Sequence, residues 1–279
     1  MTRVRKTQFW AVSFAVALLT LSPFALAQET PSKAAPERRP LTLYQKLEAA
    51  GTTGGPAPRR DLSGSWTGPL RPVVSELPPM TPLGQSRFQQ NIPDIFSANT
   101  NDPWATCDPF GFPRSDLDET RGITFAQLPN RIVIMTEYQK VWRVVWMDGR
   151  ELPKNIGAKG GPDTTWYGYS VGHWDGEYTL VVETTGVDDR TWLDRRGDPH
   201  SADMKVEERF TRINHDTLEL TLTIDDPKIY TKPFVLAKNR FKWIPNQEDE
   251  EQLCVPSEAL EYRKLVVIPA GQDLTGVKK

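Results

Sequence analysis

The sequence predicts a mainly β chain, an antiparallel β-barrel or β-sandwich entered through an irregular, proline-rich N-terminal wrapping segment. Three observations carry this expectation. From Gly122 onward apolar and polar residues alternate with period two, which is how a strand with one buried face reads. Turn residues divide those runs into hairpins: Asp175-Gly176 in one, Asn214-His215-Asp216 in another. The stretch "ELPPMTPLGQSRFQQNIPDIFSANTNDPWATCDPFGFPR" is crowded with prolines and has little periodicity, so extended and turn conformations are expected, with at most one short helix around Gly84 to Asn91.

In chain order, Arg3, Arg5 and Lys6 precede an apolar run from Phe9 to Leu26, and Ala25 to Ala27 supply the small residues a signal peptidase needs. Residues 1–27 are therefore expected to be a signal peptide cleaved after Ala27, sending the chain to the periplasm or outside the cell. Ser22-Pro23 interrupts the run short of the roughly 20 residues that span a bilayer. No stable membrane anchor is expected after cleavage. Removing the three basic residues shifts the net charge from −2 to −5, which disfavours nucleic acid as a partner.

Residues 28–60 read as a flexible leader. Within it "LTLYQKLEAAG" places Leu43, Tyr44 and Leu47 on one helical face, with Gly51 as a stop. Residues 61–279 are expected to form a single β-rich domain beginning at "DLSGSW". The two cysteines, Cys107 and Cys254, are an even pair in a chain bound for an oxidising compartment, so a disulfide between them is expected.

The strands follow. "RIVIMTEY" sets Ile132, Ile134, Thr136 and Tyr138 against Val133, Met135 and Glu137, and "VWRVVWMDGRELP" comes next with its Asp148-Gly149 turn. "WYGYSVGHW" and "EYTLVVETT" make one hairpin, "KVEERFTRI" and "TLELTLTI" another, the latter with Leu218, Leu220, Leu222 and Ile224 on one face. Closure into a barrel is the expected solution to the exposed-edge problem such a series creates.

Gly64 and Trp66 in "GSW" resemble the G-x-W element of lipocalin-like barrels, in which the tryptophan plugs one end; the pattern recurs as Gly172 and Trp174 in "GHW". A longer series of motifs, "DLSG-W", "PPMTP-GQ", "CDP-GFPR", "WYGYSVGHW-DG", "TWLD--G-PHS" and "TIDDPK-YTKP", is similar to a broad group of secreted bacterial proteins without an established activity. That resemblance implies a fold and no chemistry.

Candidate site residues come from the aromatic strands and from the long connection "GVDDRTWLDRRGDPHSA", Gly186 to Ala202. A connection this long is more often functional than a plain turn. With Trp192 as its apolar anchor it is expected to bring Asp188, Asp189, Asp194 and His200 to a barrel mouth. His173 shares a strand face with Tyr167 and Tyr169, while Trp174 shares the other with Trp166. If the tyrosine face points inward, His173 lines a cavity; if outward, it is a surface residue. Glu137, Arg143, Glu183, Glu208 and Arg209 interrupt strand faces. Any of them that points inward must pair or meet a ligand, because an unpaired buried charge is expensive.

Several chemistries have no support in the sequence. There is no G-x-S-x-G elbow, "GAKGGP" lacks the ending of a phosphate loop, and the three histidines have no zinc-ligand spacing. No metal and no cofactor is expected. Two functional readings remain. The first is a binder that holds a small, largely apolar molecule in an aromatic cavity, through Trp166, Tyr167, Tyr169, Trp192, Arg143, Glu137 and Glu208. The alternative is an acid-base enzyme (lyase, isomerase or hydrolase) on the same scaffold, using His200 or His173 with Asp194.

Overall fold

The computed structural model describes residues 41–51, 54–68, 75–93, 97–117, 122–138, 141–246 and 253–270. The expected signal peptide and the start of the leader lie outside the described residues. Nine strands close into a barrel in chain order. They are β1 (Gly64–Thr67), β2 (Ile123–Leu128), β3 (Arg131–Thr136), β4 (Val141–Trp146), β5 (Tyr169–Asp175), β6 (Thr179–Thr185), β7 (Lys205–Asn214), β8 (Thr217–Asp225) and β9 (Phe234–Trp243). β9 returns to pair with β1, so no strand is left as an outer edge. The expected barrel is present, with one departure from an all-antiparallel sheet: β4 and β5 pair in parallel. A tight hairpin cannot join parallel neighbours, and residues 147–168 provide the longer crossover required.

The hairpins predicted from their turns, β5–β6 and β7–β8, both form. Inward positions on β8 are Leu218, Leu220, Leu222 and Ile224, all fully buried, and they meet Phe125, Leu180, Val182, Phe210 and Phe241 in one continuous core. Trp66 is fully buried near the end where β1 begins. Its Nε1 donates to the Leu62 carbonyl at 3.0 Å, and the Arg212 guanidinium lies 4.9 Å from its ring centroid. Arg212 is held there because it donates to the carbonyls of Asp61 and His215 at 2.7 and 2.6 Å.

At the opposite end the connections following β6 and β8, with the segment preceding β2, cover the barrel. Phe112, Leu117, Leu193 and Ile229 are fully buried there. Of the short helices, α1 (Leu43–Ala50), capped by Thr42, lies at the Trp66 end, where Glu48 meets Lys242, while α2 (Pro82–Gln90), capped by Thr81, α3 (Arg114–Leu117) and α4 (Pro256–Tyr262) belong to the covered end. The disulfide Cys107–Cys254 is formed and ties the turn after Pro103–Thr106 to the chain entering α4. No described helix is long and apolar enough to cross a membrane.

Candidate functional site

The parallel seam opens a concavity in the barrel wall. β4 pairs with β3 along its whole length, but with β5 only at Val145↔Ser170 and Trp146↔Val171. The cause lies just upstream of β5. Thr165 to Gly168 form a turn in which the Gly168 N–H donates to the Thr165 carbonyl at 3.3 Å, with Gly168 at φ +66°. Thr165 itself pairs with the chain leaving β6, its N–H on the Gly186 carbonyl at 3.0 Å and its carbonyl on the Asp188 N–H at 2.9 Å. The chain entering β5 is thereby drawn toward β6 and away from β4. A cleft of about 580 Å³ remains in the barrel wall.

Trp142, Val144 and Trp146 form one side of this cleft, Trp166, Tyr167 and Tyr169 the other, with Arg143 and Ser170 at its floor. The volume lies in the range of small-molecule sites, and the mixture of rings with a few polar groups matches their usual lining. Trp142 is 73% exposed, unusual for so large an apolar side chain. Arg150 lies 3.6 Å from the Trp146 ring centroid and Arg190 4.3 Å from that of Trp166, placing a cation on a ring at either side.

Beneath the floor sits a buried ionic cluster. On β4, Arg143 and Val145 point inward, and on β7 so do Val206, Glu208 and Phe210. Arg143 donates through Nη1 and Nη2 to the two carboxylate oxygens of Glu208 at 2.6 and 2.7 Å, and through Nη2 to Asp116 of α3 at 3.1 Å. Its Nη1 also approaches the Thr184 and Ser170 hydroxyls at 3.3 and 3.4 Å, and its guanidinium lies 4.1 Å from the Phe112 ring centroid. Two carboxyl groups thus share one guanidinium. Burial pushes the Glu208 carboxyl up to about 8; Arg143 opposes that rise and Asp116 reinforces it. Burial and the ion pair thus pull Glu208 in opposite directions.

The connection that carries Asp194 and His200 is a packed cover. Trp192 pairs with Pro199, and the Leu193 N–H donates to the Asp198 carbonyl at 2.8 Å, so the segment forms a small internal hairpin. His200 is fully buried. Its Nδ1 donates to the Ser201 carbonyl at 3.1 Å, and its Nε2 lies 2.8 Å from the Thr191 hydroxyl. Burial holds this histidine below its usual pKa, hence neutral. Asp194 is engaged by the backbone and Nε of Arg196, both at 2.8 Å. Asp198 lies 2.9 Å from the same Nε, and burial beside Asp194 raises its carboxyl to about 7.

His200 and Asp194 thus make their hydrogen bonds with other partners and form no acid-base pair. His173 is exposed on the outward face of β5. Trp192 lines a separate polar hollow of about 360 Å³ beside Arg87 and Asp189. Glu137 is buried just beyond β3, where its N–H donates to the Gly122 carbonyl at 3.1 Å. Glu183 is exposed, and Arg209 pairs with Asp175 at the surface.

The structure brings Arg143, Trp166, Tyr167 and Tyr169 together, with Glu208 behind them. Trp166 and Tyr169 face a cleft in the wall rather than the barrel interior, which the aliphatic core occupies; Tyr167 lines the cleft and also packs against that core. Sequence reading missed Trp142, Trp146, Ser170 and Asp116. "VWRVVW" did hold a signal: its outward face carries two tryptophans where a solvated strand would carry polar residues. Among the described residues no three of His, Cys, Asp and Glu are grouped to hold a metal ion.

Fold and site together define a closed mixed β-barrel with a lateral aromatic cleft over a buried ionic cluster. No protein-family model matches the chain, and no curated protein matches it.

Proposed function

We propose that this protein binds a small, largely apolar molecule in the cleft between β4 and β5, and that it does so after export to the periplasm or the cell exterior. The observation that carries the reading is the cleft itself: about 580 Å³ open to solvent and walled by three tryptophans and two tyrosines. Burying a ring-sized ligand there removes apolar surface from water on both partners, at roughly 25 cal/mol per Å² before the costs of association. The Cys107–Cys254 disulfide is compatible with an oxidising compartment. The acid-base alternative built on His200, His173 and Asp194 draws no support from their positions, since His200 is sealed from solvent and His173 lies on the outward face of β5.

The test uses N-phenyl-1-naphthylamine, whose emission rises on leaving water. The purified protein should enhance that emission saturably. Val144→Arg, which puts a long charged side chain across the cleft, should weaken binding at least tenfold while leaving the circular dichroism spectrum unchanged. Equal binding by a folded Val144→Arg variant would move the ligand elsewhere and end the proposal.

A further inference from the structure

Resting on the cleft as the binding site, we propose that its ligand is an uncharged ring compound bearing a carbonyl-type oxygen, with the ring between the aromatic walls and the oxygen directed at Tyr167 and Arg143 on the floor.

Two donors support this. Tyr167 lines the cleft, and among the described residues its hydroxyl has no hydrogen-bond partner. Its neighbour Tyr169 differs, donating to the Asp163 carbonyl at 2.8 Å. Arg143 spends both terminal nitrogens on Glu208, Asp116, Ser170 and Thr184, and among the described residues its Nε is left without an acceptor. Burial, then Asp116, drives the Tyr167 phenol far above its ordinary value, so it stays protonated and acts as a donor at any physiological pH. A ligand without an acceptor would cover these donors, exclude the solvent they otherwise meet and return no hydrogen bond, at about 1 to 3 kcal/mol for each donor it buries.

The surrounding charges select against ions. A carboxylate entering the floor would approach Asp116, whose charge Arg143 already shares with Glu208. A cation would meet the Arg143 guanidinium at the floor, and Arg150 and Arg190 already lie against the Trp146 and Trp166 rings that would otherwise stabilise it. A neutral oxygen acceptor avoids both conflicts.

Four probes of one ring size separate the possibilities: toluene, acetophenone, benzoate and benzylamine, titrated against the full folded protein by saturation-transfer NMR and tryptophan fluorescence. Acetophenone should bind at least tenfold more tightly than each of the others. Tyr167→Phe should abolish that advantage while leaving toluene affinity unchanged, and Tyr169→Phe should preserve it. Toluene binding as well as acetophenone would overturn the assigned ligand class and leave the apolar cleft standing. Benzoate or benzylamine binding most tightly would overturn it in favour of an ion site. If no probe binds the folded protein, both this inference and the cleft reading fall.

Discussion

Glu208 of β7 accepts hydrogen bonds from both terminal nitrogens of Arg143 of β4, at 2.6 and 2.7 Å, across an interior otherwise packed with Val206, Phe210 and Val145. Removing one member of such a pair strands the other. Arg143→Leu should leave Glu208 and Asp116 buried without their cation and cost about 3 to 5 kcal/mol. Glu208→Gln keeps an acceptor for Arg143 while Asp116 still supplies a negative partner, so about 1 kcal/mol is expected. The double variant Arg143→Leu/Glu208→Leu should be more stable than Arg143→Leu alone. Urea denaturation at pH 7 reads all three, and a double variant less stable than the single would show that the pair is not where the energy resides.

The pH dependence of stability follows from three buried groups. Burial raises Glu208 to about 8 and Asp198 to about 7, both far above their unfolded values of about 4.5 and 3.8. The folded state therefore holds protons that the unfolded state has released. Each contribution is full below the unfolded pKa and is lost as pH rises through the folded one. His200 has the opposite sign: held neutral by burial, it contributes above about 6.5 and loses that contribution as pH falls. Between pH 6.5 and 8 the carboxyl groups act without it. Unfolding free energy should fall across that window by up to about 1.4 kcal/mol per pH unit for each group still titrating. Glu208→Gln should flatten the slope between pH 7 and 8. A urea midpoint that rises over the same range would contradict the assignment.

How much of this was legible depended on whether a residue's role was local. Leu218, Leu220, Leu222 and Ile224 could be read because alternation alone places them on one face of β8. β9 was not read as a strand. Its inward positions include Asn239, and a register shift in its pairing with β8 puts both Leu236 and Ala237 in the core, so the period-two rhythm breaks. Arg143 and Glu208 were recognisable as charges that would have to pair if they faced inward. Their partnership was not, since 65 residues separate them and only barrel closure joins them. The cleft was the least legible feature, because it depends on where β5 fails to accompany β4.

His200 and Thr191 illustrate a buried polar pair that belongs to the cover. Their 2.8 Å contact and the bond from His200 to the Ser201 carbonyl lie within the connection between β6 and β7, which Ser201 ties to the chain leaving β8 by donating from its N–H and hydroxyl to Asp226 at 2.6 and 2.8 Å. His200→Ala should cost about 2 to 4 kcal/mol, chiefly from the cavity left by a fully buried ring, since the Thr191 hydroxyl keeps its bond to the Asp188 carbonyl and the Ser201 carbonyl its bond from the Met204 N–H. Probe affinity in the cleft, measured where the variant remains folded, should not change. A selective loss of affinity with little loss of stability would restore His200 to the site.

Reducing the disulfide should act on the C-terminal segment before the barrel. Cys107 and Cys254 are 147 positions apart, and closing so long a loop contributes roughly 4 to 5 kcal/mol in the chain-entropy model. α4 buries none of its own residues, so little else in that helix holds it. In Cys107→Ser/Cys254→Ser, limited proteolysis should cut first within residues 253–270 and leave a folded barrel. Simultaneous loss of the whole chain would mean that the helix and barrel unfold as one unit.

Gly168 is where the cleft is made. Its φ of +66° is strained for any residue with a side chain, and a Cβ there would sit 2.6 Å from the Thr185 carbonyl oxygen and 2.9 Å from the Thr184 methyl. Gly149 has a similar φ of +78° with nothing within 4 Å of an added Cβ, so it isolates the backbone cost. Gly149→Ala should cost about 1 kcal/mol. Gly168→Ala should cost more, because relieving the collision means moving the turn off β6 and toward β4, into the cleft. Naphthylamine affinity should then drop for Gly168→Ala and remain unaltered for Gly149→Ala. Equal affinities in the two folded variants would show that the position of this turn does not set the width of the binding site.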